Sequence, residues 1–135
     1  MAGWGTGSFE NEDAQSFLGR LKTLGVADLQ QILSRAADDA DYLEAPASSV
    51  AVAAAEVIAA LKGAPTGVLP REIAAWTSAA QAQSSPAAIP ELAGLAIRAV
   101  DRVRTNSELK DLWLEADGLN EWSASLRDLT ARLSG

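Results

Sequence analysis

Among the 135 residues, Glu56 most needs a chemical explanation, because it is the only charged residue between Ala45 and Leu61. A carboxylate in so apolar a run, if turned inward, must find hydrogen-bond donors in place of water. It is either a catalytic acid tuned by burial or a satisfied structural acceptor, and the structural reading is preferred. Histidine is absent, lysines are few, and the arginines fall mostly on faces expected to be exposed. The expected donors are therefore the backbone N–H groups of residues 3–9, whose glycines carry no bulky side chains, and the Trp4 indole.

A second set of chemistry-bearing residues is acidic: Asp38, Asp39 and Asp41, then Glu44, with Asp13 a further candidate. Clustered carboxylates without histidine suit a hard, oxygen-seeking cation such as Mg²⁺ or Ca²⁺. Asp13, Asp41 and Glu44 are the candidate metal ligands, and with Glu56 they would serve a small divalent-metal-dependent hydrolase. The alternating acids, central glycine and closing glutamate of an EF-hand loop are missing, and such acids are also ordinary on an acidic surface. The preferred expectation is no cofactor and no catalytic residue.

The third set is the opening, with Gly3, Gly5 and Gly7 at alternate positions around Trp4 and ahead of Phe9. The spacing is not that of a dinucleotide or P-loop motif, and no strand precedes it. The preferred reading makes Trp4 and Phe9 anchors of an extended segment, with glycines where the chain crosses a helix closely. Asn11 then caps the first helix, and Glu12 and Asp13 meet the positive end of its dipole.

The absence of cysteine removes disulfides and thiolate chemistry, and the absence of histidine removes a Ser-His-Asp device and imidazole metal sites. The net charge is −7, concentrated in residues 1–60, where nine acids face three bases. Such a chain repels phosphate backbones, and Arg98, Arg102 and Arg104 are interrupted by Asp101, so nucleic-acid binding is not expected. Arg98 and Asp101, and Asp101 and Arg104, are spaced to pair along one helix. The longest apolar run, Val50 to Ala55, is far short of a membrane span, and the opening has no signal-peptide character. A cytoplasmic protein is expected.

The elements that must position these residues are helical almost throughout. Ala14, Phe17, Leu18 and Leu21 form a first stripe closing near Gly25, and Leu29, Ile32, Leu33 and Ala36 a second. Pro46 opens a third helix, apolar on every face and hence central, running to Lys62 before Gly63 and Pro65. Pro70 starts a fourth with Ile73, Trp76 and Ala80, and residues 81–88 read as a flexible connection. Pro90 opens a fifth with Leu92, Leu95, Ala96, Ala99 and Val103. Asn106 or Ser107 caps a sixth with Leu109, Leu112, Trp113 and Ala116, ended by Asp117-Gly118. Leu119, Trp122, Leu126, Leu129 and Leu133 form a seam on the last, read as one wall of a bundle rather than a coiled coil. The expected fold is all-α: residues 1–135 as a single domain, an irregular or orthogonal bundle of six or seven helices with an extended glycine-rich N-terminal segment. Trp76, Trp113 and Trp122 are expected in its core, with Trp4 tethered outside it.

The opening Gly3-Trp4-Gly5-Thr6-Gly7-Ser8-Phe9-Glu10-Asn11-Glu12-Asp13-Ala14 is joined by Tyr42-Leu43-Glu44-Ala45-Pro46, Leu69-Pro70 and Ser107-Glu108-Leu109-Lys110-Asp111-Leu112-Trp113. With these motifs the chain resembles an uncharacterised bacterial family of short proteins, a domain of unknown function with a Gly-x-Trp-Gly-x-Gly-x-Phe opening. The resemblance runs over nearly the whole chain and carries no reaction, ligand or partner with it. The expectation is a non-enzymatic binding or regulatory protein with a protein partner, present as a monomer or small homo-oligomer.

Overall fold

The computed structural model describes residues 5–39, 41–67, 69–83 and 88–135. Seven α-helices follow one another among them: α1 (Glu12–Arg20), α2 (Val26–Asp38), α3 (Ala45–Lys62), α4 (Arg71–Gln83), α5 (Ile89–Thr105), α6 (Glu108–Glu115) and α7 (Leu119–Ser134). A short 3₁₀ turn, Leu21–Thr23, follows α1, and no strand occurs among the described residues. The all-α bundle is as the periodicity demands.

The bundle is built around α3, which touches every other helix. From Ser48 to Leu61 only Val50 is less than fully buried. Alanine dominates this stretch because neighbours on all sides leave room for little more than a methyl group. Pro46 sits in the first turn, where its missing N–H costs nothing. The helix stops at Gly63, whose φ of +95° favours glycine. There Gly63 N–H donates to the Ala60 carbonyl and Ala64 N–H to that of Ala59. By length and mean hydropathy (1.4) α3 is apolar enough to cross a membrane, a property the broken apolar runs do not reveal, and 72% of it is buried within the bundle.

The seams pack as expected: Phe17, Leu21, Leu29, Leu33, Ile73, Val103, Leu126, Leu129 and Leu133 all lie in one core. Trp76 and Trp122 are buried, and the Trp76 indole donates to the Leu24 carbonyl at 2.7 Å. Trp113 is only partly buried against the core. Trp4 lies outside the described residues.

Two local expectations are corrected, and a third gains detail. Gly25 opens α2 rather than closing α1: its N–H is held by Asp28 Oδ2 at 2.8 Å, while α1 has already tightened into the 3₁₀ turn. Residues 81–83 continue α4, because nothing in Gln81-Ala82-Gln83 breaks a helix; residues 84–87 of the expected connection lie outside the described residues. Asp117-Gly118 follows the end of α6 as expected, with Asp117 in the left-handed conformation (φ 63°). Glycine is required at 118 for space, since a Cβ there would lie 2.7 Å from the Trp113 ring.

Two distant motifs meet at the edge of α6. The Tyr42 hydroxyl donates to Asp111 Oδ2, Glu108 N–H to the Leu43 carbonyl at 2.8 Å, and Ala45 N–H to Glu108 Oε1 at 2.8 Å. The hydrogen bond to Asp111 stabilises the protonated phenol and pushes the Tyr42 pKa up to about 12. Ser107 caps α6, accepting from Lys110 N–H at 3.1 Å while donating to the Val103 carbonyl.

Candidate functional site

Glu56 does face inward, at 4% exposure, on the side of α3 against which α7 lies. Its carboxylate meets the Arg132 guanidinium in a two-point fork, Nη1 to Oε1 at 2.7 Å and Nη2 to Oε2 at 3.0 Å. The Ser8 hydroxyl adds a third donor to Oε2 at 2.6 Å. Arg132 is fixed in turn by Asp128 Oδ2 at 2.9 Å, one turn back on α7, and by the Ala64 carbonyl just past the end of α3. The hydrogen bond to Glu56 raises the Arg132 pKa above its usual value, against the opposing effect of burial. Nearby, Lys62 at the end of α3 donates to the Leu133 carbonyl, so the C-terminal ends of α3 and α7 are tied together.

The N-terminal segment covers this pair. Residues 5–10 form a turn in which Glu10 folds back, its carboxylate accepting from Gly7 N–H at 3.0 Å and its own N–H donating to the Gly7 carbonyl at 3.1 Å. Cβ atoms at Gly5 or Gly7 would lie 2.1 Å and 2.4 Å from the Glu10 carboxylate oxygens. Gly5 and Gly7 thus leave room for the Glu10 carboxylate, and they also line a small space with Ser49 and Val52 of α3; Gly3 lies outside the described residues. Phe9 packs partly buried against the core, as an anchor should, and its carbonyl accepts from Gln15 Nε2. Asn11 caps α1, its Oδ1 accepting from Ala14 N–H at 2.8 Å.

Beside the segment lies an open cleft of ≈ 630 Å³ whose walls include Glu10, Gln15, Thr66, Ser125, Asp128 and Arg132, with Glu56 at its base. Its three carboxylates outnumber its one guanidinium. Its lining comes from the N-terminal turn, α1, α3, the connection between α3 and α4, and one face of α7.

The donor set differs from that expected. Among the described residues the N-terminal segment supplies Glu56 through the Ser8 hydroxyl rather than backbone N–H groups, the larger share comes from Arg132, and the expected donors Gly3 and Trp4 lie outside the described residues. A carboxylate on a side chain only 4% exposed demands a cationic partner, and an arginine at the margin of the α7 seam can reach inward from there. The sequence signal was available: Arg132 stands three residues after Leu129 and next to Leu133, on the edge of the buried stripe.

The metal candidates are not brought together. Asp13 is in the first turn of α1, which packs on α3 and α4, whereas Asp41 and Glu44 lie in the connection between α2 and α3. That connection is clamped by Arg102, which donates to the carbonyls of Asp39, Asp41 and Asn106. Asp39 Oδ1 accepts from Asp41 N–H, and Asp38 pairs with Arg98 at 3.4 Å. Arg98 thus reaches α2 instead of Asp101, while Asp101 pairs with Arg104 as its spacing predicts. Among the described residues, no group of three or more acidic side chains is placed to hold a metal ion.

The fold and the site define an all-α bundle with a buried, strap-covered ion pair beside an open cleft. Residues 3–125 match the model of the domain of unknown function DUF4259, and the chain belongs to that family. No curated protein and no solved structure matches it.

Proposed function

We propose that the chain is a non-enzymatic cytoplasmic binding protein, and that its cleft receives a cationic group of a partner or small ligand. The observation that carries this reading is the cleft itself. Its volume is that of an ordinary ligand site, and its lining carries the Glu10 carboxylate and the second oxygen of Asp128, whose Oδ2 is held by Arg132, as further acceptors. The base of the cleft is pre-organised, because Glu56 and Arg132 hold each other in one geometry before anything binds.

A catalytic reading is less well supported. Ser8 and Glu56 have the spacing of a nucleophile and its base, at 2.6 Å. Taking the serine proton, however, would neutralise the carboxylate that compensates the largely buried Arg132, at the expense of the ion pair.

The test is a titration of ¹⁵N-labelled protein with spermidine, a flexible polycation without other recognition features. Expected are shifts of the Gly7, Ser8, Ser125 and Asp128 amide resonances that weaken in Glu10→Gln and Asp128→Asn. Cleft resonances that stay in place at millimolar spermidine, or shift equally in both variants, remove the reading.

A further inference from the structure

We propose that residues 5–10 form a displaceable strap latched by the Ser8–Glu56 hydrogen bond, which opens while the bundle stays folded and yields its place on Glu56 to a ligand ammonium group. The identity of the incoming group rests on the cationic cleft reading; the opening of the strap does not.

The strap holds its own shape. Its turn is closed internally by the Glu10 carboxylate on Gly7 N–H and by Glu10 N–H on the Gly7 carbonyl. It can leave the bundle without losing those bonds. Among the described residues its connections to the bundle are of a different kind: the Ser8 hydroxyl on Glu56, the Gln15 amide on the Phe9 carbonyl, the partly buried Phe9 ring, and the side of the turn that faces Ser49, Val52 and Trp122. No strand or helix extends across the junction. At Asn11 the backbone is extended (φ −155°, ψ 157°), and its side chain stays with α1 as the cap. A pivot before Asn11 thus leaves α1 intact, including the buried Ala14, Phe17 and Leu18.

What lies under the strap explains why it can move at small cost. When Ser8 leaves, Glu56 keeps both bonds of the Arg132 fork, and no buried charge is stranded. Only one acceptor position on Oε2 opens, facing the cleft that Ser8 also lines. A donor in the cleft fills that position, and an ammonium group there lies in the same cleft as the Asp128 carboxylate. Ser8 and the ligand then compete for one oxygen atom, and by linkage each weakens the other.

The experiment is limited chymotrypsin digestion of the full chain, comparing cleavage after Phe9 with cleavage after Trp122 in α7. When opening is fast, cleavage tracks the population of the open form. Loss of one hydrogen bond to a charged acceptor should raise that population about tenfold to a hundredfold. Ser8→Ala is expected to speed cutting after Phe9 by that factor and leave Trp122 protected; Ser8→Thr, which keeps the hydroxyl, should stay near the parent. Spermidine should also speed cutting after Phe9 in the parent, and should bind more tightly to Ser8→Ala. Unchanged cutting in Ser8→Ala overturns the latch, and equal acceleration at Trp122 shows the segment to be an inseparable part of the bundle. Spermidine that binds without exposing Phe9 overturns the competition. Failure of spermidine to bind removes the cleft reading, and the strap is then judged on Ser8→Ala alone.

Discussion

Arg132 Nη1 lies 2.7 Å from Glu56 Oε1 and Arg132 Nη2 lies 3.0 Å from Glu56 Oε2, so one planar fork closes α7 onto α3 across 76 positions of chain. Breaking such a pair from one side is costly because the other charge stays buried. Arg132→Ala should destabilise the protein by about 3 kcal/mol, the low end for buried pairs because the arginine retains 17% exposure. Replacing both residues by leucine should recover most of that loss. Urea denaturation midpoints of the two single variants and the double variant test this, and losses that simply add would contradict it.

The tryptophans should separate in the same assay. Trp122 is buried at 4% exposure within the α7 seam, and Trp122→Ala should cost about 3–5 kcal/mol. Trp113 leaves part of its ring in solvent, and Trp113→Ala should cost about 2 kcal/mol, nearer the ordinary range for single substitutions. Equal losses would show that exposure does not decide the difference.

Gly118 provides a steric prediction. A methyl group there would press on the Trp113 ring, so Gly118→Ala should lose about 1–3 kcal/mol through overpacking. Combining it with Trp113→Leu should relieve much of the added strain. Thermal unfolding of the double variant, compared with Trp113→Leu alone, reads the coupling.

Tyr42 is the only tyrosine, so its ionisation can be followed cleanly by ultraviolet absorbance. Its hydrogen bond to Asp111 favours the protonated phenol, and its midpoint should lie near 12 rather than 10. Because the folded pKa is the higher, the contribution of this contact to stability is full below pH 10 and is lost as pH rises through 12. Asp111→Asn should bring the midpoint back toward 10; a parent midpoint already there would rule out the contact.

The helices were legible because their apolar spacing, prolines and caps all point the same way. Pro46, Gly63, Asn11 and Ser107 each do in the structure what their chemistry demands locally. Glu56 was legible as a buried acceptor for the same reason: a lone charge in an apolar helix has few places to go. Its partner was harder to find. Arg132 is separated from Glu56 by most of the chain, and helical spacing on α7 alone cannot tell an arginine that reaches inward from one that stays in water. Glu10 was missed because a side chain folding back over Gly5 and Gly7 leaves no periodic trace. Gly25 and Gly118 show the converse difficulty, since a glycine marks a local boundary without saying whether conformation or space requires it.

Glu56 is the twelfth of the eighteen residues of α3, close to the midpoint of the one described helix with the length and hydropathy to span a bilayer. While the bundle is folded, Arg132 and Ser8 conceal that charge. During synthesis or after unfolding the helix is bare, and an acidic side chain near its centre then opposes insertion into lipid by about 3 kcal/mol. The residue that joins two helices in the folded bundle thus also raises the cost of placing α3 in lipid.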